Sequence, residues 1–540
     1  MRDGDADPYD GAMLEEASGP STPAGPGRLD LTLTLLAVLL ATAWLGWLQL
    51  SFGGLYDLDS WFHVRAAEQL SVHGVSKTFP QATQSTWLEH YSDKDFLFHA
   101  FLIPFVRADL IVGGKWAVIA LDFLVFASFA YAIRTFGVRF GALWVFLLAT
   151  TSPYYVTRIS SVRPHILGIA LVTLEITLLL RNRWKTLLVV SALHVIAHSS
   201  FVVLPALVVA RFVTSWLTGE RLPWRAALAV AAGLVAGSLL HPYFPNNLTV
   251  AYDQLVEVTR NVWFPNTTIP REAFGSELGP MTWKSFFAQT PGWLPALVGL
   301  VVVLATAGRR GWTVATSEPG GWTAAQIDLA LLTAGFLFVA SRSRRFVDLF
   351  VVCALLFAGV LWTRLAAERP LGTLLRERRA LALPCVVVLL AIALWSGSRV
   401  AGMRESFQSQ ATGEIFAPAV SALDQLAAPD DVVYHNSWMD FAVLYAFRPQ
   451  GRYISGLDPI FLYQHDPELF AKNLALSRGA GDAASIVARD FGGRWIFVTT
   501  QARDQRFRKL LERTRGIRQV YGDPAAQIWQ VMSPSRAMTP

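Results

Sequence analysis

Charged residues are scarce in this chain. Asp, Glu, Lys and Arg make up 16% of its 540 residues, hydrophobic residues make up 53%, and mean hydropathy is +0.38. An average soluble domain carries about a quarter charged residues, so an ordinary string of soluble domains is excluded. Cysteine is nearly absent. Cys353 and Cys385 both lie in apolar stretches, which excludes a disulfide framework and thiol chemistry. No glycine-rich loop for a nucleotide phosphate is present, nor any internal repeat. The net charge of +6 is compatible with nucleic acid, but basic cytoplasmic loops of a membrane protein account for it better.

Long apolar runs are plentiful. Residues 1–30 are rich in Gly, Pro, Asp, Glu and Ser and read as a disordered cytoplasmic N-terminus. The run LTLTLLAVLLATAWLGWLQL is too long for a signal-peptide core and ends without a small-residue cleavage site, so it reads as a retained first helix. Spans are expected at 31–50, 115–134, 138–153, 164–181, 185–198, 199–216, 225–241, 291–307, 325–341, 346–363 and 380–397. The shorter apolar segment DFLFHAFLIPFV (95–106) reads as interfacial. Eleven crossings put RTFGVR, RNRWK, GERLPWR, GRR and RLAAERPLGTLLRERR on the cytoplasmic side, as positive-inside bias requires.

This predicts a polytopic α-helical membrane domain over 31–397, with long outer loops at 51–114 and 242–290. An α/β domain is expected over 398–540, on the extracytoplasmic side of the cell (inner) membrane. Its strands are VVYHN, RYISG, RWIFVTT and the hairpin IRQVYGDPAAQIWQVM, with helix-like patterns between them.

Three groups of arginine then remain outside, against the charge rule: Arg65, the pair Arg158 and Arg163, and Arg342, Arg344 and Arg345 in SRSRRF. Boundary snorkelling or helix capping explains any one of them. Their gathering on one face points instead to a phosphate, because guanidinium forks match phosphate oxygens. Arg344 and Asp348, four apart, are spaced to orient one another.

The same face carries GGLYDLDSWFHVRAAEQL (53–70). On a helix, Asp59 and His63 share a side. A carboxylate there can take a proton from an acceptor hydroxyl or bind a divalent cation, or it can merely cap the helix. Acid facing arginine suits sugar transfer from a polyprenyl phosphate or diphosphate. The leaving phosphate needs cationic stabilisation, the acceptor needs a base, and direct displacement inverts the anomeric centre.

These elements, in this order, resemble the GT-C class of membrane glycosyltransferases, particularly the catalytic subunit of oligosaccharyltransferases. That family has an acidic motif in its first outer loop similar to Asp59-Ser60-Trp61-Phe62-His63-Val64-Arg65. Its second acidic motif corresponds to SPYYVTRISSVRPHILG, which holds no acid and offers only His165. Its Thr/Ser-Ile/Val-x-Glu loop element resembles Thr268, Ile269 and Glu272 with one residue extra, and Glu277 competes with Glu272. Its W-W-D-Y-G acceptor motif is partly matched by Trp438-Met439-Asp440-Phe441. These residues are equally suited to a domain core. ISGLDPIFLYQHDPELF (454–470) suits a glycan or acceptor, or a turn and a capped helix.

The resemblance implies Asp59, His63 and Glu272 as catalytic. Arg65, Arg158, Arg163, Arg342, Arg344 and Arg345 would hold the donor phosphate, and Trp438 and Asp440 the acceptor. Asp59, His165 and Glu272 would be ligands of a divalent cation, Mg or Mn, with a metal-independent reaction as the other option. The expected partners are a polyprenyl-linked sugar, a glycan, lipid or protein acceptor, and membrane lipids, without nucleic acid. A monosaccharide transferase acting on lipid or polysaccharide is the alternative within enzymes. A lipid-linked glycan transporter or flippase is the alternative outside them, suggested by Asp122, Glu175 and His194 within predicted spans.

Overall fold

The computed structural model of the protein describes residues 27–264, 269–307, 322–368, parts of 391–409, and 413–532. The apolar runs are helical. Helices α1 (Arg28–Leu50), α2 (Leu58–His73), α3 (Phe96–Val106), α4 (Leu110–Thr135), α5 (Gly141–Thr150), α6 (Pro153–Ile159), α7 (His165–Leu180), α8 (Trp184–Ala197), α9 (Leu204–Thr218) and α10 (Trp224–Leu240) follow in order. After a segment of short turns come α11 (Leu294–Ala307), α12 (Ala324–Ala340) and α13 (Val347–Glu368).

Among the described residues, four helical stretches are long and apolar enough to cross a membrane: Arg28–Leu50, Leu110–Thr135, Ser199–Thr218 and Arg344–Ala367. A bent pair, Trp283–Gln289 with Pro291–Leu304, makes a fifth if counted as one span, and six shorter apolar helices accompany them. Several expected spans are thus helices of 10–17 residues, reaching about 15–25 Å at 1.5 Å per residue. The expected eleventh span, 380–397, lies largely outside the described residues. The segment 95–106 is α3, whose Phe98, His99, Leu102 and Val106 are buried.

Packing follows side-chain size. Helix α13 lies in the middle of the bundle, buried from Phe350 through Leu361 along an uninterrupted apolar run. Helices α8 and α10 approach backbone to backbone, because a side chain at Gly233 or Gly237 would strike the main chain of Leu188 and Ala192. Small residues permit this close contact where lipid tails are as apolar as the helices.

Beyond the bundle lies an α/β layer. Strands β1 (Val432–His435), β2 (Arg452–Tyr453), β3 (Gly493–Thr499), β4 (Ile517–Gly522) and β5 (Ala526–Val531) form one sheet of order β2-β1-β3-β5-β4. β1 pairs in parallel with β2 and β3, whereas β5 runs antiparallel to both β3 and β4. The strands lie where the alternation of the sequence predicts them. β1 and β3 are almost wholly buried, as expected of strands covered on both faces.

The bundle and the layer are stitched together around α2. The loop after α2 extends the sheet, with Tyr453 donating to Gln81 O (2.7 Å) and Thr83 donating to Tyr453 O (2.8 Å). On α2, Trp61 packs on Phe447, and Phe62 on Phe441 and Tyr445. The helix carrying Asp59 and His63 is therefore held between the two parts.

Candidate functional site

The start of α2 is strained. Asp57 has φ 72°, a region that favours glycine and costs a non-glycine residue of order 1–3 kcal/mol. This conformation turns both Asp57 and Asp59 toward Arg163, whose guanidinium lies 2.9 Å from Asp57 and 2.7 Å from Asp59. Asp458, on the cavity wall, also has positive φ, at 85°.

The cavity has a volume of about 410 Å³. Three arginines on its wall converge on one carboxylate. Arg158 reaches Glu277 at 3.1 Å, Arg163 at 3.1 Å and 3.2 Å, and Arg345 at 3.0 Å. Arg158 also holds Asp348 at 3.0 Å. Burial raises the Glu277 carboxyl pKa, but Arg163, Arg345 and Arg158 outweigh it and hold it well below the usual range. Asp59 goes the other way. Burial pushes it up to about 6, against Arg163 and with help from Asp57 and Glu277. Glu277 is thus held in its charged form while Asp59 nearby is pushed up to about 6, a separation typical of acid–base sites.

One turn along α2, His63 also faces the cavity. Its Nδ1 is 2.8 Å from His99 Nε2, and His99 Nδ1 is 2.7 Å from Asp93. The carboxylate accepts from His99 Nδ1–H, and although burial lowers the His99 pKa, Asp93 outweighs it and raises the pKa above its usual value. Burial, reinforced by His99 and Arg163, lowers the His63 pKa well below the usual value and keeps the ring neutral.

The expected site residues divide. Asp59, His63, Arg158, Arg163, His165, Arg345 and Trp438 line one cavity. Arg65 lies apart, donating to Ala446 O and pairing with Glu68. Arg342 stacks on Phe338. Arg344 donates from its main chain to Gly279 O and from its side chain to Pro280 O. It does not orient Asp348, which Arg158 takes instead. Trp438 donates to Ala273 O at 2.9 Å, which docks the loop bearing Glu277. Asp440 is buried against Arg503.

Glu272 stands outside the cavity, two-thirds exposed and paired with Arg478 at 2.6 Å. The three expected metal ligands therefore do not converge. Glu272 points away, His165 Nε2 is 3.0 Å from Arg158 O, and Asp59 is engaged by Arg163. Among the described residues no group of three or more His, Cys, Asp or Glu is spaced for a metal ion. Thr268 lies outside the described residues.

Two residues of the cavity wall, Asp93 and His99, escape a reading of local motifs, which names Glu277 only as a competitor of Glu272. Asp93 and His99 are six apart, with the signal carried only by the SDKDFLFH stretch. Glu277 is one of two glutamates five residues apart in a loop without regular periodicity.

No protein-family model and no curated protein matches the chain. Solved structures do resemble it. The oligosaccharyltransferase AglB of Archaeoglobus fulgidus, in complex with an inhibitory peptide and a dolichol-phosphate, has TM-score 0.59 and 11% identity over 87% of this chain and 69% of that one. ArnT of Cupriavidus metallidurans bound to undecaprenyl phosphate has TM-score 0.51 and 14% identity over 93% and 98%. The mycobacterial arabinofuranosyltransferase AftD has TM-score 0.55 and 15% identity over 94% and 40%. At these identities the likeness shows the fold alone, which the chain shares with these three solved structures.

Proposed function

We propose that this chain is a membrane glycosyltransferase that moves a sugar or oligosaccharide from a polyprenyl-phosphate or diphosphate carrier to an acceptor on the extracytoplasmic side. The reading rests chiefly on one cavity in which Asp59 faces Arg158, Arg163 and Arg345. Dolichol-phosphate and undecaprenyl phosphate, bound in the AglB and ArnT structures, support the carrier class. The basic loops opposite this face support its sidedness.

In this mechanism Asp59 takes the proton of the acceptor hydroxyl or amide. A carboxylate titrating near 6 is mostly ionised at neutral pH, yet basic enough to accept a proton as the bond forms. The acceptor attacks the anomeric carbon from the face opposite the carrier, inverting it, and the phosphate leaves toward the arginines, whose charge it needs. His63, held by His99 and Asp93, is a second base on the same wall.

The acceptor class follows less from the oligosaccharyltransferase motif than from its departure. Trp438 and Asp440 are spent on Ala273 and Arg503, which favours an acceptor other than a sequon peptide. For a transporter, Glu175 and His194 would need to open to a pathway, but they close on each other at 2.9 Å within the bundle. The deciding experiment supplies lipid-linked sugar to membranes containing the wild type or Asp59→Asn. Unchanged transfer at equal expression removes Asp59 from the mechanism. Mass analysis of glycoconjugates from a deletion strain identifies the acceptor, and chelator in the same assay separates metal-dependent from metal-free transfer.

A further inference from the structure

We propose that Glu277 is a resident anion. Its carboxylate occupies the place of the incoming phosphate and is displaced only by a doubly charged one. This rests on the reading of the arginine cluster as a phosphate site. Three guanidinium groups from two parts of the chain, the pair Arg158 and Arg163 and the distant Arg345, close on this single side chain, as they would on phosphate oxygens. Arg345 has Glu277 as its carboxylate partner, is 45% exposed, and is freed when Glu277 leaves.

The segment carrying Glu277 is built to move. Its two short turns, Arg271–Ala273 and Ser276–Leu278, bury no residue of their own, and Phe274 between them is the segment's one large side chain in the apolar core. It is tied down by a few hydrogen bonds: Trp438 to Ala273 O, Arg344 N to Gly279 O at 3.0 Å, and Ser343 Oγ to Glu277 O at 3.3 Å. Segments with little buried apolar surface open at low free-energy cost.

A tethered carboxylate competes at an effective concentration in the millimolar range or above. A singly charged ligand gains little by replacing it, whereas a phosphate dianion brings one more charge to the same donors. Glu277 therefore makes the site selective for a phosphate monoester or a diphosphate over a singly charged phosphodiester, and closes it in their absence.

The test uses the full chain in detergent, titrated with inorganic phosphate, inorganic pyrophosphate and a polyprenyl monophosphate, with hydrogen exchange followed over 271–279. In the wild type, ligand binding is expected to raise exchange in this segment. Glu277→Gln is expected to bind each ligand about tenfold more tightly, with exchange already high before ligand is added. Glu277→Asp, which keeps the charge on a shorter arm, should fall between the two and serves if the glutamine variant does not fold. A preference for the polyprenyl form assigns a lipid headgroup, and equal affinities assign free phosphate. Both sources support the proposal.

Equal affinity in wild type and Glu277→Gln overturns the proposal while leaving the phosphate site standing. Tighter binding by the variant, with unchanged exchange in the ligand-bound wild type, also overturns it, because that is repulsion without displacement. Failure of both proteins to bind any phosphate overturns the phosphate-site reading beneath it.

Discussion

Replacing Arg163 with methionine tests whether the titration of Asp59 governs transfer. The Arg163–Asp59 contact of 2.7 Å opposes the burial that raises this carboxyl. Opposite charges about 4 Å apart interact by about 4 kcal/mol at an effective dielectric near 20. Each 1.36 kcal/mol corresponds to one pH unit, so complete loss of the pair would move the midpoint by at most about three units. Both side chains keep some contact with water, at 17% and 18% exposure, and Arg345 still acts on Asp59. We therefore expect an upward displacement of about one to two pH units. The wild-type transfer rate should rise with a midpoint near 6, and that of Arg163→Met near 7–8, about the same displacement. Loss of phosphate contact lowers the plateau as well, but a lowered plateau does not move a midpoint. The assay is initial transfer from lipid-linked sugar in membranes between pH 5 and 9.5. A midpoint that stays in place in Arg163→Met, whatever the plateau, refutes the assignment of Asp59 as the titrating base.

Asp59→Asn should reduce transfer by at least about a hundredfold across this whole pH range, with normal expression checked by immunoblot. Asp93→Ala should lower the rate about tenfold by releasing His99 and hence His63, whereas Asp93→Asn, which still accepts a hydrogen bond, should retain most activity. Equal loss in both variants would count against orientation of His63. In the α/β layer, burial pushes Asp440 up to about 8 despite Arg503. A raised acid favours the folded state when protonated, so this contribution is full below about pH 4 and lost as pH rises through about 8. Thermal unfolding of Asp440→Asn should therefore lose less stability than the wild type between pH 5 and 9, and parallel curves would exclude this linkage.

Composition and periodicity reveal the elements because hydropathy and alternation are local. Helical spans and strands are legible from a few consecutive residues, and the charge asymmetry of the loops singles out the face on which Arg158, Arg163 and Arg345 gather. The sequence also marks Asp59 and His63, one helical turn apart on α2.

Pairing is different. Arg158 meets Asp348 across 190 positions and Arg163 meets Glu277 across 114, separations that no local spacing encodes. The four-residue spacing of Arg344 and Asp348 misleads because a 3₁₀ turn, Arg344–Phe346, precedes the helix that begins at Val347. The two residues therefore do not share one α-helical face. Glu272 and Glu277 look alike in the sequence, yet the loop's two turns send one to Arg478 on the surface and the other into the arginine cluster. Tertiary structure alone decides these partners, because the energy of a charge depends on which distant groups packing brings within a few ångströms and how much water it leaves between them.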